Sequence, residues 1–254
     1  MTPAEGAILA AAAAAAGAVN SVAGGGTLIS FPALLAMGFD PKVANATSTV
    51  ALWPGAWGAM GGYRKDLAGA RPMLVRFGIP SLLGGGLGAW LMVSTSRETF
   101  AFLVPWLVLF ATVLFAASER IAAWWGAREG DAEKAAGPGV LLYQFAVAVY
   151  GGYFGAGIGI LMLAALSLLG MRDIHRMNGV KMTLGMLINA VAIAIFVCAG
   201  DLVRWPEGIL MAVAALLGGF GGARLAKRVP RGWIRALVIA TGLVVAAEEF
   251  WKGP

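Results

Sequence analysis

Two glycine-rich motifs inside apolar sequence are the part of this chain best suited to bind a ligand. They are Gly24-Gly25-Gly26 in VAGGGTLISF and Gly155-Ala156-Gly157 in YFGAGIGILM. Glycine lets a ligand approach the backbone closely, and a helix that begins after each motif would present free N–H groups and the positive end of its dipole. These features favour an anion. The pattern therefore predicts that the backbone at both motifs contacts a small anion.

Polar side chains downstream of the motifs could complete such a site. Asn45 in KVANATST and Asn178 in HRMNGVKM could bind the ligand, cap a helix or bond a neighbouring helix. Lys181 lies one turn beyond Asn178 on the same helical face, where a bound anion could pair it, unless its side chain extends to the cytoplasmic interface. Hydroxyl groups extend the predicted site at Thr27, Ser48 and Thr49.

Proton chemistry has one candidate, His175, which is the single histidine of the chain. It could carry a coupled proton or lie at the surface. All 13 acidic residues fall at the ends of apolar segments or in loops, so a carboxylate relay is not expected. Nucleotide, zinc and serine hydrolase motifs do not occur, so we expect neither enzymatic activity nor a metal or cofactor.

The composition is that of an integral membrane protein. Hydrophobic residues make up 59% of the chain and charged residues 13%, against about 25% in soluble domains. The apolar runs are long enough for helices that cross a hydrocarbon core of about 30 Å, and they lack the alternation of a β-barrel. We therefore predict an all-α polytopic protein in the lipid bilayer. Its net charge of +6 comes from loops and does not indicate nucleic-acid binding.

The chain contains an internal duplication. Residues 24–103 align with residues 155–237 at an offset that drifts from 131 to 135, and Asn45 then falls on Asn178. GGGLGA at 84–89 falls on GGFGGA at 218–223, and the small residues four apart in both predict close helix packing. The predicted units are a first membrane repeat at 1–118, a polar linker at 119–138 and a second membrane repeat at 139–254.

In each repeat, a pair of apolar segments on either side of the glycines is followed by three longer segments. The predicted segments are 4–22, 26–38, 45–63, 72–94 and 99–118, then 139–153, 157–170, 178–200, 206–226 and 232–250. Thirteen residues of helix rise only about 20 Å, so segment 26–38 cannot cross the bilayer alone. Each pair is therefore either one broken helix that crosses once or a hairpin that enters and leaves on the same side.

The distribution of basic residues favours hairpins. With hairpins, 15 of the 19 basic residues collect on one side of the membrane, whereas single crossings divide them 9 against 10. We therefore predict two inverted repeats, each a glycine-tipped re-entrant helical hairpin plus three transmembrane helices. The linker would be cytoplasmic and both termini outside. Inverted repeats are typical of transporters that bind substrate near the midplane, where the two tips would meet and the halves would rock about the site.

The chain resembles the TauE/SafE family of membrane permeases in two stretches that cover the motifs. They are AGAVNSVAGGGTLISFPALLAMGFDPKVANATST and YGGYFGAGIGILMLAALSLLGMRDIHRMNGVKM. The resemblance implies a multi-pass secondary transporter of the bacterial inner membrane that exports small sulfur-containing anions, such as sulfite or sulfonates, by alternating access. A passive anion channel of the same fold and a carrier for carboxylates remain alternatives. The oligomeric state, monomer or homodimer, stays open.

Overall fold

Helices make up all of the regular structure in the described residues. The computed structural model describes residues 1–22, 25–63, 67–125, 137–168, 171, 173–225 and 231–252. The first half contains α1 (Pro3–Val22), α2 (Thr27–Ala36), α3 (Pro41–Tyr63), α4 (Arg71–Ser94) and α5 (Arg97–Trp125). The second half contains α6 (Pro138–Tyr153), α7 (Ile158–Leu168), α8 (Ile174–Cys198), α9 (Trp205–Leu225) and α10 (Arg231–Lys252). Each predicted segment corresponds to one helix, and α5 continues past position 118, where the first membrane repeat was predicted to end.

The helices that carry the two asparagines begin earlier than predicted. Asp40 Oδ1 accepts the backbone N–H groups of Lys42 and Val43, and so caps α3. Asp173 caps α8 in the same way. Because aspartate is a strong N-cap, both helices begin near these residues rather than at Asn45 and Asn178. The two asparagines therefore lie inside their helices, and the prediction that they stand at the helix ends was wrong.

Helices α1, α3 and α9 run in the same direction and form one bundle, which we call bundle 1. Gly6 lies against Leu210, and a methyl group at Gly218 would overlap the carbonyl oxygen of Ala14, so α1 runs parallel to α9. Helix α3 also follows α9, because Gly208 lies against Thr47 near its start and Ala215 against Gly55 farther along.

Helices α4, α6 and α8 form the matching bundle 2. A methyl group at Gly84 would lie 2.6 Å from the carbonyl oxygen of Phe145, and one at Gly88 would overlap that of Val149, so α4 runs parallel to α6. Helix α8 follows α4 through contacts of Gly78 with Leu187 and of Gly86 with Val191. The small residues predicted to pack closely therefore do so, since their missing side chains let the backbones touch.

The short helices carry the chain back within each bundle. Because α1 and α3 point the same way, the chain must reverse through α2, whose ten residues rise about 15 Å. In the second half, α7 folds back on α6, where Ile158 packs on Gly151 and Tyr143 Oη lies 3.3 Å from Leu161 O. The chain therefore connects α1 to α3 through α2, and α6 to α8 through α7.

The two bundles meet where α3 crosses α8. Trp53 donates its indole N–H to Met186 O at 3.2 Å, and Ala56 clusters with Met182 and Met186. The two helices run in opposite directions. Arg176 at the start of α8 donates to Gly69 O just beyond α3, whereas Arg204 just beyond α8 donates its backbone N–H to Thr47 near the start of α3.

The outer surface is apolar, as expected of a protein in lipid. Large hydrophobic side chains are exposed along α4, α5, α9 and α10, for example Trp90, Phe102, Leu217 and Val244. Three helical stretches of the described residues are long and apolar enough to span a membrane: Arg71–Ser94, Arg97–Ala117 and His175–Cys198. Together these features define a multi-pass helical membrane protein.

Candidate functional site

The two glycine motifs lie against the middle of the same helix, α5. A methyl group added to Gly25 would lie 2.6 Å from the ring of Phe115, and one added to Gly157 would lie 3.6 Å from Ala111 O. Phe115 and Ala111 are four residues apart, which is about 6 Å along a helix. Both motifs therefore pack against the same stretch of α5, although Gly24 lies outside the described residues.

The two motifs differ in backbone conformation. Gly155 and Gly157 have φ values of +80° and +74°, a region that side chains disfavour. Within the described part of the chain, the N–H groups of Ala156 and Gly157 donate to no backbone or side-chain acceptor. Gly26 is helical, with φ −57°, and is required for a different reason, because a methyl group there would overlap Ala16 O.

Asn45 of the first half lies at the glycine motif of the second half. Its side chain is 1% exposed, and Nδ2 donates to Tyr153 O at 3.1 Å, two residues before Gly155. Oδ1 is buried and has no hydrogen-bond partner. We call Asn45, Tyr153 O and the backbone of Gly155–Gly157 the Asn45 site. The predicted capping role of Asn45 is wrong, and the bond to a neighbouring helix is confirmed.

The hydroxyl groups predicted to line the first site are mostly used within the protein. Thr49 donates to Asn45 O at 2.9 Å, which is the bond to the preceding turn that is common for hydroxyls in membrane helices. Ser48 is fully buried and shares a hydrogen bond of 2.7 Å with Ser30 of α2. Thr27 is partly buried at the first position of α2.

Lys181 is buried next to Asn178. Its side chain is 5% exposed and donates to Asn178 Oδ1 at 2.8 Å, so the alternative in which Lys181 extends to an interface is wrong. Among the described residues, the ion pairs join Arg97 to Asp40 and Arg204 to Glu207, and no carboxylate pairs with Lys181. We call Asn178 and Lys181 the Lys181 site. A buried cation with a neutral neighbour is costly, and a bound anion would remove that cost.

The structure separates the Asn45 site from the Lys181 site. Asn45 lies eight residues before Trp53 and Lys181 lies five residues before Met186, where the two antiparallel helices cross. At 1.5 Å per residue the two side chains are about 20 Å apart along the helices. The polar residues therefore form two positions on opposite sides of the crossing, although they were predicted to line one cavity.

Two further titratable side chains, His175 and Glu207, lie in the first turns of α8 and α9. His175 is exposed at the start of α8, where its backbone N–H donates to Asp173. Glu207 is 5% exposed in the first turn of α9, 3.6 Å from the Arg204 guanidinium nitrogen Nε. The sequence predicts only that Glu207 lies at the end of an apolar segment, and nothing in the local sequence signals that α1 and α3 pack around the start of α9.

The fold is that of a helical membrane protein, and comparison with known proteins places the chain in the class of membrane transporters. The model of the family described as sulfite exporter TauE/SafE matches residues 9–248. The chain belongs to this family.

Relatives of similar length carry consistent names. The chain is 27% identical to a "Probable membrane transporter protein" of Haemophilus influenzae, over 91% of this chain and 88% of the relative. It is 24% identical to "Probable membrane transporter protein YfcA" of Escherichia coli K12, over 91% and 84%. It is 26% identical to "Probable membrane transporter protein ORF9" of a Sinorhizobium species, over 94% and 90%. No solved structure is significantly similar to the chain.

Proposed function

We propose that this protein is a secondary transporter that exports small sulfur-containing anions, such as sulfite or sulfonates. The main supporting observation is Lys181, a buried cation whose described neighbour is the neutral amide of Asn178. An anion bound there would supply the missing negative charge. The description of the family as sulfite exporters supports the choice of sulfur oxyanions.

The transporter works by alternating access between two inverted repeats. Contacts between helices support the pseudo-symmetry: Trp53 and Met186, which meet at the crossing, lie 133 positions apart, as do Asn45 and Asn178. Gly84 touches Phe145 while its counterpart Gly218 touches Ala14, the counterpart of Phe145 at an offset of 131. The opposite directions of α3 and α8 support the inversion, because each is the third helix of its repeat.

The moving bodies in this mechanism are bundles 1 and 2 rather than the two sequence halves. Helix α9 of the second half is packed closely against α1 and α3, and α4 of the first half against α6 and α8. Separating the halves would break those close backbone contacts. Motion at the α3–α8 crossing would open the Asn45 site and the Lys181 site in turn.

Orientation follows from the basic residues. The excess of 15 against 4 supports a cytoplasmic linker, with both termini outside and the protein in the bacterial inner membrane. In this orientation the Lys181 site lies toward the cytoplasm and the Asn45 site toward the outside. Substrate would therefore meet the lysine first during export.

Flux through purified protein in liposomes tests the proposal. A carrier gives saturable uptake of sulfite or methanesulfonate that is stimulated by an anion on the opposite side. A channel passes the same anions without that stimulation and carries current. Acetate and a dicarboxylate are measured in parallel. Absence of sulfite and sulfonate flux in folded protein would refute the sulfur-anion assignment. Carboxylate flux in its place would identify the protein as a carboxylate carrier.

Substitutions at the two asparagines test the sites. Asn45→Leu and Asn178→Leu should each abolish transport in protein that still elutes as a single folded species. A matched control is Gly185→Ala on α8, where a methyl group would meet nothing within 4 Å. Full activity of both leucine variants would remove the Asn45 and Lys181 sites from the mechanism.

A further inference from the structure

A buried acceptor without a donor marks the Asn45 site. Oδ1 of Asn45 has no hydrogen-bond partner, although the side chain is 1% exposed. Leaving a buried acceptor unsatisfied costs about 1–3 kcal/mol. A group that supplies a donor to this oxygen therefore stabilises the site when it binds.

The partner of the other amide atom identifies the free atom as an acceptor. The nitrogen and oxygen of an asparagine side chain are distinguished by their hydrogen bonds. Here the bonded atom faces Tyr153 O at 3.1 Å, and two oxygens would repel at this distance, so the bonded atom is Nδ2. The free atom is Oδ1, which accepts but cannot donate.

The backbone beside Asn45 has hydrogen-bond donors that lack acceptors in the described part of the chain. Tyr153 is followed within a few residues by Ala156 and Gly157, whose N–H groups have no acceptor among the described residues, at the start of the eleven-residue helix α7. These donors suit the oxygen atoms of an anion. The Asn45 site therefore offers donors on one side and an acceptor on the other.

We propose that the Asn45 site selects anions that carry a hydrogen-bond donor next to their charged oxygens. Hydrogen oxyanions and sulfonates with an N–H or O–H group have this chemistry, whereas fully deprotonated oxyanions and alkylsulfonates do not. This inference rests on the proposed function, since it concerns the substrate of the same transporter. The Lys181 site makes no such demand, because Asn178 Oδ1 already accepts from Lys181.

Sulfamate and methanesulfonate test the inference directly. Both are monoanions of nearly the same shape at neutral pH, but sulfamate has an amino group where methanesulfonate has a methyl group. Binding of each to purified protein is measured by calorimetry and by competition for sulfite flux. We expect sulfamate to bind about tenfold more tightly, because methanesulfonate leaves Oδ1 unsatisfied. Equal affinity for the two ligands in the wild-type protein would overturn the inference.

Two variants assign the preference to Asn45. Asn45→Leu removes the acceptor oxygen and leaves an apolar side chain of similar size, so the affinity ratio should fall toward one. Asn178→Leu is the matched control at the corresponding position of the second repeat, and because it lies on the other side of the α3–α8 crossing, it should keep the tenfold ratio. A tenfold ratio that survives in Asn45→Leu would contradict the proposal.

The ligand comparison separates this inference from the proposed function. Tight binding of both anions at a ratio of one leaves the transporter assignment standing and refutes the donor requirement alone. Absence of binding by both anions refutes the assignment to sulfur anions and the inference with it. The comparison in wild-type protein needs no variant, so it stands even if Asn45→Leu does not fold.

Discussion

Substitution of Gly84 by alanine tests the closest packing inside bundle 2. The new methyl group would lie 2.6 Å from Phe145 O and 2.8 Å from the Cβ atom of Ala148. Optimal contact between carbon atoms is about 3.5–4.0 Å, so α4 and α6 must separate by roughly 1 Å or distort. Overpacking of this kind costs about 1–3 kcal/mol.

Gly78→Ala on the same helix is the matched control. Gly78 is also buried, but its methyl group would lie 3.7 Å from Leu187, which is ordinary contact. Both substitutions gain the same helix propensity of about 1 kcal/mol, so their difference isolates the overlap. A difference of 1–3 kcal/mol corresponds to about 3–10 °C in melting temperature for a chain of this size.

The assay is thermal unfolding in detergent, followed by the loss of the folded peak in size-exclusion chromatography. We expect Gly84→Ala to melt lower than Gly78→Ala. The corresponding variant of bundle 1, Gly218→Ala, should behave like Gly84→Ala, because its methyl group would overlap Ala14 O. If Gly84→Ala melts at the same temperature as Gly78→Ala or higher, the close approach of α4 and α6 is refuted.

Three further substitutions test individual side chains. Lys181→Met should reduce sulfite flux at least tenfold without lowering the melting temperature, because an apolar side chain replaces a buried charge; wild-type flux would contradict a role in substrate binding. His175→Gln should leave flux and its dependence on a pH gradient unchanged, since the side chain is exposed, and loss of that dependence would make His175 the proton carrier. Trp53→Phe removes the hydrogen bond to Met186 O and should cost about 1 kcal/mol, seen as a lower melting temperature than in the wild type.

The helices could be predicted because their signals are local. Apolar runs and glycine breaks placed the ten helices that the described residues form, including the short α2 and α7. The starts of α3 and α8 were misplaced because Asp40 and Asp173, which cap them, were not used as start signals. An aspartate before an apolar run, followed by Pro41 in the first case, is a pattern that could have placed both starts.

Part of the candidate site could also be predicted. The glycine motifs were expected to approach each other, and both lie against α5. The predicted duplication paired Asn45 with Asn178, but their separation across the α3–α8 crossing depends on the directions of two helices far apart in sequence. The burial of Lys181 and Glu207 depends likewise on neighbours from other parts of the chain.

The sequence by itself determined the membrane class, the helix order and the family, because composition, periodicity and motifs are properties of the chain alone. Only the tertiary structure decided that α9 joins α1 and α3 while α4 joins α6 and α8. Helices α1, α4, α6 and α9 all carry glycines that allow close packing, so the sequence does not determine which of them pack together. In the folded protein, Gly84 of α4 packs against Phe145 of α6, and Gly218 of α9 packs against Ala14 of α1. Within the described residues, the same packing left Asn45 with a free oxygen and Lys181 without a carboxylate, and these two features give the proposed sites their chemistry.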